Sequence, residues 1–129
     1  MNNFIKILIF TILIISFSNN SFGKENFYNE GVQLFENEKY DDAKFLFERS
    51  IVHDPKHSNS YLYLAKIYKF KKNQIKEEKN LETTLLIDPS NEEALLMMME
   101  IGLEKTNYSM VNELSERFIK VCKNLCNEN

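Results

Sequence analysis

The sequence predicts an all-α protein built as a stack of three antiparallel helical hairpins. Three observations carry that prediction. Pro55 and Pro89 stand 34 residues apart, each behind an aspartate, Asp54 and Asp88. The stretches before them align at the same offset, with Phe27, Gly31, Leu34, Ala43, Phe47 and Ile51 answering to Tyr61, Ala65, Tyr68, Glu77, Leu81 and Leu85. Apolar residues recur at i, i+3/i+4 and i+7 throughout, without strand-like alternation, glycine-rich loops or low-complexity linkers.

The elements follow in order. Helix one spans about 25–37 and turns Phe27, Tyr28, Gly31, Leu34 and Phe35 inward. Helix two, about 40–53, does the same with Tyr40, Ala43, Phe47 and Ile51, and Asp54-Pro55 closes it because proline disfavours helical backbone in the preceding residue. Helix three, about 58–70, buries Tyr61, Leu64, Ala65 and Tyr68. Helix four runs to Ile87, and Ser90 or Asn91 caps helix five, about 92–104. Helix six is expected over about 108–125.

Residues 1–23 read as a leader rather than as part of the fold. Lys6 precedes an apolar run from Ile7 to Phe17, and Ser21-Phe22-Gly23 forms a small-x-small exit after which a signal peptidase would cut. The competing reading is an uncleaved anchor. Phe4 to Phe17 would make a helix of about 21 Å, short of a hydrocarbon core of roughly 30 Å. The protein is therefore expected to be exported, periplasmic in a Gram-negative source or otherwise secreted, touching a membrane only if the leader stays. Residues 24–129 form one domain, with repeats at about 24–57, 58–91 and 92–125.

Lys6 is the only charged side chain in the leader, so the remainder keeps 15 basic and 19 acidic residues and a net charge of −4. That balance argues against nucleic-acid binding. Cys122 and Cys126 lie at i, i+4. On an intact helix their Cβ atoms stand about 5–6 Å apart, more than the roughly 3.5–4.5 Å of a disulfide. Two buried thiols or a disulfide across an unwound last turn both fit.

The pattern resembles the tetratricopeptide repeat (TPR), in which W-x2-L-G-x2-Y, A-x3-F and P recur over 34 residues. Phe27, Gly31, Leu34, Ala43, Phe47 and Pro55 fill these slots in unit one, with Glu30 standing where leucine is usual. Tyr61, Leu64, Ala65, Tyr68, Leu81 and Pro89 fill them in unit two, with Glu77 in a small-residue slot. Unit three is degenerate: Met99 and Val111 stand where two small residues meet, and Lys123 replaces the proline.

The resemblance implies a right-handed superhelical stack whose first helices line a concave groove for a protein or peptide partner. Its groove positions are Tyr28, Val32 and Phe35, then Leu62, Lys66, Lys69 and Phe70, then Leu96, Glu100 and Leu103. They suit a mostly apolar ligand with one acidic contact near Lys66 and Lys69. The family's carboxylate clamp for chaperone C-termini is absent, since Tyr28 and Val32 replace its first lysine and asparagine.

Other candidates weigh less. Met97, Met98 and Met99 point in different directions on a helix and suit core filling. His53 and His57 are separated by the proline turn, which breaks the face a metal pair would share. No nucleophile–base set or phosphate loop is present, so neither an enzyme nor a cofactor is expected. Two alternatives to a binding scaffold stand: a structural subunit, and a membrane-tethered adaptor with its leader uncut. Because Leu114, Phe118, Ile119, Val121 and Leu125 cannot all face helix five, some apolar surface should remain on helix six for self-association or a larger partner.

Overall fold

The computed structural model describes residues 24–123 and Cys126 of the 129. The expected leader and Leu125 lie outside the described residues. Six helices are found among the described residues: α1 Lys24–Glu36, α2 Tyr40–His53, α3 Ser58–Phe70, α4 Gln74–Ile87, α5 Glu92–Glu104 and α6 Tyr108–Val121. They pair as α1–α2, α3–α4 and α5–α6, and each hairpin stacks on the next through its second helix.

The repeat is written in the backbone as well as in the side chains. Glu38, Lys72 and Thr106, spaced 34 apart, have φ of 59°, 53° and 53°. Each ends the first helix of its hairpin by the same two bonds. The Glu38 N–H donates to the Phe35 carbonyl at 3.0 Å and the Lys39 N–H to the Leu34 carbonyl at 2.9 Å, and equivalent pairs recur at Lys72–Asn73 and Thr106–Asn107. This is the Schellman arrangement, which uses a left-handed residue to satisfy the last carbonyls of a helix. Asn73 and Asn107 then cap α4 and α6, accepting the N–H groups of Lys76 and Met110, each at 3.2 Å.

The turns between hairpins repeat too. The Asp54 and Asp88 N–H groups donate to the Ser50 and Thr84 carbonyls, each at 2.8 Å. Their carboxylates accept from the N–H groups of Lys56 at 3.3 Å and Ser90 at 3.1 Å, which tightens the chain over the prolines. His57 caps α3 by accepting the Ser60 N–H at 3.3 Å. Of the two cap candidates for α5, Asn91 takes the role, accepting the Ala94 N–H at 3.0 Å.

The third unit departs from expectation at its end. Cys122 occupies the slot of Asp54 and Asp88 and turns extended, with φ −61° and ψ 118°. Helix α6 therefore stops at Val121, short of residue 125. Cys122 is joined to Cys126 by a disulfide with Cα atoms 5.8 Å apart, so these thiols are not free. The Lys123 N–H donates to Glu92 at 2.9 Å, tying this end to the start of α5.

Small residues sit where helices meet. A Cβ on Gly31 would lie 2.8 Å from the ring of Phe47, one turn along α2 from the wholly buried Ala43. In the third hairpin the close approach belongs to Gly102, whose added Cβ would lie 2.8 Å from Val111. That moves the contact one helical turn from Met99, where the repeat pattern placed it. Leu114 is buried, and Phe118 and Val121 pack half-buried against the core shared by the second and third hairpins, which includes Leu81, Leu95 and Ile101. The exposed apolar surface on α6 is thus narrower than expected, with Ile119 left 75% exposed in its last turn and Tyr108 64% exposed at its start.

Candidate protein-interaction groove

Helices α1, α3 and α5 lie side by side on one face and enclose a cavity of about 830 Å³. Its floor is apolar: Phe35 from α1, Phe70 from α3, and Leu96 with Met97 from α5. Aromatic packing fixes that floor. The ring of Phe70 stacks on Tyr40 at 4.8 Å and lies 5.8 Å from Phe35, which meets Tyr63 edge-on at 5.2 Å. Phe70 remains 59% exposed, so it presents a rigid apolar surface at the mouth. Exposed apolar area held in a concave frame is the usual mark of a ligand or protein site.

Charges line the same cavity, and they cancel. Lys66 pairs with Glu93 at 2.8 Å and lies 4.5 Å over the ring of Tyr63. Lys69 pairs with Glu100, whose carboxylate holds the Lys69 ammonium above its ordinary pKa. The acidic contact anticipated near Lys66 and Lys69 is thus supplied by α5 of the chain itself. Elsewhere Lys71 reaches back to Asp41, and Lys105 pairs with Glu78. Lys66–Glu93 and Lys69–Glu100 join bases of the second hairpin to acids of the third, whereas Lys105–Glu78 joins the same two hairpins with the signs reversed.

Six of the ten sequence-derived groove positions come together here: Phe35, Lys66, Lys69, Phe70, Leu96 and Glu100. Leu62 does not, being 5% exposed in the core because α3 is packed between neighbours on both sides. Tyr28 and Val32 pack beyond the cavity against the core of the first two hairpins, Ala43, Phe47, Leu64 and Ile67. Burial against Phe47, His57 and Tyr63 pushes the Tyr28 pKa up to about 12. Leu103 is exposed past the far end of the cavity. Glu93 and Met97 were missed as lining residues; both lie at helical spacing from Leu96 and Glu100, a signal available in the sequence.

Glu77, the large residue in a small-residue slot, is 7% exposed as a whole. Its side chain lines a small cavity of about 250 Å³ with Lys69, Gln74 and Glu104. Burial raises its pKa, and Lys69 opposes that shift. The stem is enclosed while the carboxyl looks into a polar recess. Among the described residues, no group of three or more His, Cys, Asp or Glu could hold a metal ion.

Curved helical hairpins with a partly apolar inner face define the class: a helical-repeat protein. Comparison with known proteins sharpens this. No protein-family model matches the chain. The first TPR of Spaghetti (RPAP3), bound to the HSP90 peptide SRMEEVD, superposes with a TM-score of 0.70 at 17% identity, covering 81% of this chain and 83% of that one. The Sgt2 TPR domain of Aspergillus fumigatus gives 0.65 at 17% identity, covering 76% and 65%. The second TPR of Spaghetti, bound to the same peptide, gives 0.61 at 22% identity, covering 79% and 92%. The fold is that of a tetratricopeptide-repeat protein. In sequence, 92 residues are 30% identical to a peroxisomal targeting signal receptor of Kluyveromyces lactis; the match takes in 67% of this chain but only 16% of that protein.

Proposed function

We propose that the protein is a non-enzymatic scaffold that holds a segment of a partner protein along the α1–α3–α5 groove. The observation that carries this is the 830 Å³ cavity with exposed Phe70 at its mouth, an apolar surface that water alone would not favour. Support comes from the two Spaghetti domains, which share the fold and are bound to a peptide, and from the receptor match. The leader-like residues 1–23 support export, to the periplasm or outside the cell, with a role in envelope assembly or maturation.

Two measurements test it. Affinity capture from the native envelope should recover a partner with the intact protein and lose it with Phe70→Ala plus Leu96→Ala; equal recovery would refute groove binding. Mass spectrometry of the mature protein should find Lys24 at its start, whereas an intact Met1 would refute cleavage.

One observation favours a second reading, self-association through α6. Ile119 is 75% exposed, although Leu85, its counterpart one period earlier, is buried beneath the next hairpin. The Ile119→Lys variant should stay monomeric at concentrations where the unaltered protein gains mass in light scattering. A monomer in both cases removes this reading.

A further inference from the structure

Resting on the groove reading above, we propose that Glu93 and Glu100 set its specificity, so that it accepts uncharged apolar segments and rejects acidic ones. The geometry is direct. Two lysines of α3 face the cavity, and two glutamates of α5 stand against them, Lys66 on Glu93 at 2.8 Å and Lys69 on Glu100. The four charges on the cavity wall sum to zero. Both glutamates are about half exposed, so their carboxylates also confront anything that enters.

Stability accounts for only part of this arrangement, since Lys66 is mostly buried over Tyr63 while both glutamates are about half exposed. Exposed ion pairs contribute about 0–1 kcal/mol each. Their effect on a ligand is larger, because like charges brought together at an interface exclude wrong partners. An acidic segment seeking Lys66 or Lys69 meets two carboxylates within the Debye length of about 8 Å. It would have to displace them to gain anything. An uncharged segment pays no such cost and covers Phe35, Phe70, Leu96 and Met97. The groove shares its architecture with domains that hold SRMEEVD, yet its own acids occupy the cations an acidic peptide would need.

The test uses fluorescence anisotropy with two labelled peptides, the acidic heptapeptide SRMEEVD and an uncharged apolar heptapeptide with blocked ends. Unaltered protein should bind the apolar peptide about tenfold or more tightly than the acidic one. Glu93→Gln plus Glu100→Gln, checked for an unchanged melting temperature, should gain about tenfold for the acidic peptide. That gain should vanish near 1 M salt, where screening reaches about 3 Å, while apolar binding holds. Equal binding of both peptides by the unaltered protein, or no gain in the double variant, overturns the specificity role alone. Failure of both peptides to bind any form overturns the groove reading, and this inference with it.

Discussion

The two ends of the stack are built from the same repeat and treated in opposite ways. On α3 and α5, the positions that face the preceding hairpin carry Ser60 and Ala94, Leu64 and Met98, Ile67 and Ile101, all buried. The same positions on α1 carry Asn26, Glu30 and Gln33, all exposed. Glu30, out of place in the repeat pattern, is therefore polar for a reason: no described helix lies in front of it. At the other end, Phe47 and Leu81 give way to Ser115, but Leu85 gives way to Ile119, still apolar and uncovered. The first face is finished as a surface, and the last is only partly so. Such a difference works against head-to-tail stacking of copies, because exposed Ile119 would meet a row of amides and a carboxylate.

Substitutions break or sharpen that contrast by decreasing amounts. Ala43→Glu puts a charge at a wholly buried contact in the first hairpin and should cost about 4 kcal/mol or more. Hydrogen exchange should then show α1 and α2 losing protection well ahead of α5 and α6. Gly31→Ala and Gly102→Ala compare the ends directly. The first drives a methyl into the buried Phe47 ring and should destabilise by about 1–2 kcal/mol after its gain in helix propensity. The second meets half-buried Val111 at the same 2.8 Å, and because a β-branched side chain on a helix keeps one preferred rotamer it too should destabilise, by about 1 kcal/mol in a thermal melt.

Thr106→Gly relieves a β-branched residue at positive φ and should stabilise by about 1 kcal/mol. Glu38→Gly, at the equivalent turn of the first hairpin, should give less, since Glu38 is unbranched at Cβ. Between the ends, Glu77 supplies a small pH effect. Its folded pKa is raised, so the folded state holds the proton more tightly than the unfolded chain. Stability is then greatest below the ordinary carboxylate pKa and falls as pH rises through the folded one. Glu77→Gln should raise the melting temperature at pH 7 and leave it unaltered near pH 4.

Much of the fold was legible because its determinants are local. Helical spacing, the Asp-Pro pairs and the asparagine caps act within a few residues, and five of the six helices end within two residues of the expected positions. The end of α6 was not legible, because a cysteine stands in the aspartate slot and conceals the third turn. The groove was half legible. Phe35, Phe70 and Leu96 follow from repeat position, but the pairing of Lys66 with Glu93 joins residues 27 apart and exists only once the hairpins stack. Leu62 fails for a related reason: a helix between two neighbours buries a wider arc than periodicity along one strand of sequence can show.

The slot that holds Asp54 and Asp88 holds a half-cystine at the third turn. Two corners of the molecule are thus fixed by proline rings and carboxylate hydrogen bonds that the redox state of the medium does not touch, while the third depends on electrons. A loop this short contributes about 2 kcal/mol by chain restriction. In a thiol-rich medium that contribution would disappear, and the segment now tied to Glu92 would be free to leave α5. How firmly the last hairpin is fastened is therefore set by the redox balance of its surroundings, and the first two hairpins are indifferent to it.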